Sequence, residues 1–494
     1  MRPGPSVRHP ANGPNGIQCR PGPRSDRRDV RSPATASRQS HARNRTGDRA
    51  HRGLLVPVDP RGRPDPRRSR LGRRCFRGQR AVTASGPLPD EIRFGRDGRI
   101  AVEVDSQRVL AWQSAPLRLQ ETGDAIRAAL ANPLDFPPLE QTVVPGDHIV
   151  VALDSDTPAA DMILAALWDV FAGREVRPED VLVLQPAATG PASPTDPRGA
   201  LPDDVADRIK WRVHEPDTSG ENYLATSASG QRLYFAREVI EADLVIPVGP
   251  VVFDPLLGYR GTFSVLYPGL STSDAITRSH GQGHRELEPG DQRPLRQLVD
   301  DIGWLLGVQF CVQVVPAAGT GVSGVWAGGP ESVLRTACEF LDTSWRVELE
   351  ERAGIVIASI QPDAGGHGWD QLGRALTVSR NLVTHEGRIV LLTDLDESPG
   401  DGLSLIRGVN APADALSMLR SLAPSDLLPA TQCAEATDWA RVYLLSELDD
   451  ELVEDLFITP LKNEDEVGRL LSLPEKCVFL ENAQHAFGRV ETAD

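Results

Sequence analysis

"GDHIVVALDSDTPAADMILAALWDVF", Gly146–Phe171, decides the fold class. "HIVVAL" is a short, β-branched apolar run, the composition of a strand buried on both faces. "DSDTP" breaks it, with Asp and Thr suited to capping a helix. "AADMILAALWDVF" then has the apolar spacing of a helix. Strand, turn and helix in that order make half of a βαβ unit, whose next strand lies parallel to the first. "DVLVLQPAATG" supplies that strand and a turn, and "ADLVIPVG" supplies a third strand. In such sheets ligands collect outside the carboxyl ends of the strands. The turns 154–158, 185–190 and 249–261 are therefore candidate site segments.

A similar alternation resumes further along. "RPLRQLVDDIGWLLG" (293–307) reads as an amphipathic helix. "VQFCVQVVPA" and "AGIVIASIQP" read as strands, "GGPESVLRTACEFL" and "GWDQLGRALTVSRNLV" as helices, and "GRIVLLTDLDE" as a further strand. The turn "DAGGHGWDQ" after "GIVIASIQP" is the ligand-facing candidate of this second unit. We divide the chain into a basic segment at 1–85, an α/β domain at 90–285, a second at 290–415 and an α/β tail at 416–494.

The 494 residues carry a formal charge of −16, unevenly spread. Residues 1–80 hold 21 Arg, no Lys and five acids, which leaves about −32 on the rest. So acidic a body suits a small-molecule ligand and not a nucleic acid. No apolar run approaches the roughly 18 to 20 residues of a membrane span. None of the six cysteines forms a C-x-x-C pair, so they read as small core residues in a reducing cytoplasm. Residues 1–85 lack periodic apolar residues. They read as a phosphate-binding arm, as a targeting peptide without its apolar stretch, or as translated text ahead of the true start, and the absence of Lys favours the last.

From about residue 90 to 490 the order of "VVALDSDTP", "LQPAATG", "RLYFAREVIEADLVIPVG", "LLGYRGTFSVLYPG", "DAITRSH", "GWDQLGRAL" and "VYLLSELDDELVEDL" resembles the nickel-dependent lactate racemases and related 2-hydroxyacid epimerases. The resemblance implies two α/β domains with the active site in the cleft between them. It also implies a nickel pincer nucleotide tethered to a lysine, with two histidines as acid and base. Carried over residue by residue, it places Thr157 where the family has an anion-facing Arg. Ala192 and Asp254 fall at the acid/base histidines, and Ser264 at the tethering Lys. His280 matches a nickel ligand, and Gln371 and Arg374 match a substrate-side Gln-x-x-Lys.

Gly258 and Gly261 keep the frame of the cofactor loop. The chain's three lysines are Lys210, Lys462 and Lys476, all remote from that loop in sequence. The expected site is thus Asp254 as the candidate catalytic residue, Thr157, Arg260, Gln371 and Arg374 on the substrate, Gly258, Gly261 and Ser264 toward a cofactor, and His280 toward a metal. The expected function is a degenerate member that binds a small hydroxy or sugar acid with no covalent cofactor. The alternative is an active racemase or epimerase with a non-covalent nickel pincer.

Overall fold

The computed structural model describes Leu88 and residues 90–187, 194–217, 220–227 and 230–491. The expectations for residues 1–85 and for Ala192 lie outside the described residues. Twelve strands build two six-stranded sheets. In chain order they are β1 (Val109–Gln113), β2 (Ile149–Leu153), β3 (Val181–Gln185), β4 (Lys210–Val213), β5 (Leu244–Pro250), β6 (Cys311–Pro316), β7 (Val322–Gly328), β8 (Ala353–Ser359), β9 (Val383–Leu392), β10 (Arg441–Leu445), β11 (Ile458–Leu461) and β12 (Cys477–Leu480).

The first sheet has the order β7-β6-β5-β2-β3-β4 and is parallel except for the β6–β7 hairpin pair. The second has the order β11-β10-β9-β8-β12-β1 and is parallel throughout. The protein is an α/β molecule with two α/β lobes. No helix among the described residues is long and apolar enough to cross a membrane.

Every residue of β2 is buried because both faces of the sheet are covered. Ile149, Val151 and Leu153 pack on Ile163, Leu164, Leu167 and Phe171 of α1 (Ala160–Gly173). Val150 and Ala152 face the other way, against Val265, Leu266 and Leu270. Val265 and Leu266 belong to the loop 256–269 and Leu270 directly follows it, so this stretch of the loop is core and packing fixes its path. The second sheet follows the same alternation. Val356, Ala358, Ile389 and Leu391 meet α5 (Trp369–Leu382). Ile355, Ile357, Val390 and Phe479 face Ile92, Phe94 and Trp112.

Two sequence expectations change. The boundary near residue 290 does not divide the sheets: helix α3 (Pro294–Leu305), β6, β7 and helix α4 (Pro330–Trp345) belong to the first lobe, while β1 joins the second. Alternation identifies a strand but not its neighbour, and the parallel pairing Val312↔Val248 links residues 64 positions apart. The acids of "DSDTP" do not cap α1 either. Its N-cap is Ala159, in the left-handed region at φ 55°. Asp154 and Asp156 lie ahead of the helix and pair with Arg260 instead. Of the cysteines, Cys311, Cys338, Cys433 and Cys477 are unpaired and buried.

Candidate functional site

In each sheet the strand order reverses direction once. The first reverses between β2, which leads on to β3 and β4, and β5 on its other side. The second reverses between β8, which leads on to β9, β10 and β11, and β12. Connections leaving in opposite directions open a crevice at the carboxyl ends of such strand pairs. Here the two crevices share one narrow cleft. Asp156, Pro250 and Val252 line it from the first, and Asp363, Arg374 and His485 from the second. Its free volume is about 20 Å³, room for one water. Gly365 lets the lobes approach: a Cβ there would lie 3.0 Å from Asp156 Cγ. The Gly319 N–H donates across to Asn482 Oδ1 at 3.3 Å.

The charged floor on the first-lobe side is a triad in which Asp154 is buried and Asp156 and Arg260 are part-buried. Arg260 donates through Nη2 to Asp154 Oδ1 at 2.6 Å and through Nε to Asp154 Oδ2 at 3.2 Å. Its Nη1 lies 2.8 Å from Asp156 Oδ2. Burial pushes the Asp154 carboxyl above the usual carboxylate range, against the pull of Arg260. Burial also acts upward on Asp156, but Arg260 and Arg374 together outweigh it and the net shift is downward. Arg260, part-buried, is held charged by the two carboxylates. It is therefore committed to two internal anions. Thr157 is also turned inward, donating its hydroxyl to the Asp154 carbonyl at 2.6 Å.

On the second-lobe side Arg374 is half-buried and makes no hydrogen bond or ion pair among the described residues. It projects from α5 at the cleft, where Asp156 and Asp370 feel its charge. Gln371, one turn earlier, is occupied: its Oε1 accepts the Gly368 N–H at 3.0 Å and its Nε2 donates to Asp363 Oδ1 at 3.2 Å. The Gly365 N–H, at 2.9 Å, also fixes that oxygen. The other oxygen of Asp363 lies 3.4 Å from His485 Nε2. Burial lowers the His485 pKa against the opposing field of Asp363, so the ring is neutral near pH 7.

The remaining expected site residues serve the backbone. Asp254 Oδ1 accepts the N–H groups of Leu256 and Leu257, both at 2.8 Å, which closes its own hairpin turn. Gly258 has φ 78°, and a Cβ would strike the Pro289 carbonyl. Gly261 has φ 143°, with Val251 Cγ2 at 2.9 Å from where a Cβ would stand. Ser264 Oγ accepts the Gly261 N–H at 3.0 Å. His280 is the C-cap of α2 (Ser273–Ser279), and its N–H donates to the Thr277 carbonyl at 3.2 Å. Among the described residues no three His, Cys, Asp or Glu side chains gather as a metal site.

The structure thus places Arg374 and Asp156 in the cleft lining, with Arg260 paired to Asp156 outside it, and leaves Asp254, Ser264 and His280 out of the lining. Sequence reasoning had marked the Asp363 turn but not Asp363 itself, and had missed His485. Only the position of β12 beside β8 in the sheet order reveals the latter.

Residues 96–288 match the family described as the lactate racemase N-terminal domain. The chain is 22% identical over 416 residues to the lactate racemase of Thermoanaerobacterium thermosaccharolyticum, covering 78% of this chain and 94% of that one. It is also similar to the structure of the lactate racemase apoprotein from that organism. The TM-score is 0.67 at 18% identity, over 81% of this chain and 99% of the other. A Thermotoga maritima protein of known structure matches with a TM-score of 0.57 at 11% identity, over 77% of this chain and 100% of the other.

Proposed function

This chain is a divergent member of the lactate racemase family, and from that premise we propose that it binds a small hydroxy or sugar acid between its lobes as a member that has lost racemisation. The observation that carries the reading is Arg374, a cation at the meeting of two crevices with no anion bonded to it among the described residues. A carboxylate is its chemical complement, and a guanidinium binds one through two parallel N–H donors.

The residues present do not fit a lysine-tethered nickel pincer. The hydroxyl of Ser264 is engaged by the Gly261 N–H, and no lysine occurs between residues 211 and 461. Asp254 Oδ1 is engaged by its own turn, and at that position a carboxylate stands in place of the family's histidine. We therefore derive no step through such a group. The unpaired buried cysteines suit a reducing compartment such as the cytoplasm.

Calorimetric titration with lactate, glycerate and gluconate tests the reading. A charge-assisted contact contributes about 1.5–3 kcal/mol. Arg374→Ala should therefore weaken binding about tenfold or more. Equal affinity of wild type and variant for every acid, or nickel-dependent interconversion of D- and L-lactate by the wild type, would overturn it.

A further inference from the structure

His485 stands where the two lobes meet. It follows β12 on the second lobe, and the indole against it, Trp345, ends α4 on the first. The ring centroids are 5.3 Å apart, and Trp345 is pinned to its own lobe by donating Nε1–H to the Pro316 carbonyl at 3.1 Å. Pro316 and Gly319 of the first lobe line the same cleft as the imidazole. The His485 side chain is 5% exposed, and neither ring nitrogen has a hydrogen-bond partner among the described residues. A neutral imidazole has one donor and one acceptor to satisfy, and native structures rarely leave both unmet. The closed junction therefore holds this ring at a cost that parting the lobes relieves.

We propose that His485 is a proton-operated gate between the lobes: proton uptake by its ring favours their parting, so that mild acid opens the cleft of the folded protein. An imidazolium carries two N–H donors and a charge, and a dry junction solvates neither. Three charged groups face the ring, Asp363 and Arg374 from its own lobe and Asp156 from the first. Burial lowers the proton affinity of the ring; Asp363 and Asp156 pull it up, and Arg374 adds to the lowering. Parting the lobes removes Trp345 and returns the ring to water, where an imidazole has a pKa of about 6.5. The proton thus binds the open form more tightly than the closed one, and by linkage it shifts the balance toward open. The shift sets in as pH falls through about 6.5 and levels off below the closed-state value. One solvated imidazole sets its ceiling, about tenfold in the open-to-closed ratio between pH 7.5 and 5.5.

The Gly319 N–H, which donates across the lobes to Asn482 Oδ1, reports their parting. Its hydrogen exchange, divided by the intrinsic rate at each pH, is followed on the full chain from pH 7.5 to 5.5 without ligand, so the result stands apart from the carboxylate reading. We expect the protection of this amide to fall about threefold to tenfold in the wild type. The β2 amides should stay about a hundredfold or more better protected throughout, which separates parting from unfolding. His485→Gln and His485→Phe should each hold the Gly319 protection level with pH to within about 1.5-fold, by loss of the titrating group. His367→Gln, which removes a different titrating histidine, should keep the wild-type fall. If neither His485 variant folds, the wild type and His367→Gln decide. A flat wild-type profile overturns the gate, as does a fall that persists in a folded His485 variant, one abolished by His367→Gln, or one matched by the β2 amides.

Discussion

Arg260 shows why a residue's type and place in sequence do not settle its role. Its guanidinium could have served an incoming anion, but it is saturated by Asp154, 106 positions away, and by Asp156. Such pairs resist removal of one partner, because the others are left as buried, uncompensated charge. Arg260→Met should cost about 3 kcal/mol or more at neutral pH, read by urea denaturation. The deficit should shrink as pH falls toward about 4, where the stranded carboxylates take up protons. A deficit unchanged with pH would mean that packing, not charge, was lost. At this scale the sequence was legible for Arg374, whose cation stands at a helix face on the cleft. It was not legible for Gln371 or Asp254, since a side chain's internal partners depend on turns that composition does not specify.

The loop 256–269 is the element most open to misreading. Its glycines and Ser264 suggest a cradle, yet each meets a local backbone need, and Val265, Leu266 and Leu270 cover one face of the first sheet. Gly258 combines a left-handed φ of 78° with close approach to Pro289. Gly258→Ala should destabilise by about 2 kcal/mol or more, by strain plus clash, with a matching fall in the denaturation midpoint. A shift below about 0.5 kcal/mol would show that the loop relaxes freely. Among the elements, β2 and α1 were legible because burial on two faces and helical spacing leave plain patterns. Sheet membership was not, because β6 reads the same whichever sheet it joins.

For the whole molecule, two histidines, His485 buried and His367 part-buried, tie stability to pH. Burial lowers the pKa of His367, opposed by Asp394, with Arg96 acting in the same sense as burial and Asp363 against it. Burial likewise lowers that of His485, which faces Asp363, Arg374 and Asp156. A base whose folded pKa lies below its unfolded value, about 6.5, binds more protons unfolded than folded. The stability it contributes is full above that unfolded pKa and is lost as pH falls through the folded one. The raised carboxyls of Asp154 and Asp370 shift in the opposite sense, so the comparison is made between proteins that share them. Between pH 7.5 and 5.5 the wild type should lose more unfolding free energy than the double variant His367→Gln/His485→Gln. Parallel losses would remove the histidines from the account.

The shared crevice also bears on timing. With about 20 Å³ free between the lobes, a ligand of the proposed kind would need them to part on entry. Entry and release are then gated by the same opening, and every acid that fits inherits its rate. Residence time thereby becomes a property of the two lobes and their junction more than of the contacts at Arg374. Substitutions at the Gly365–Asp156 approach can tune how long a ligand stays without touching it.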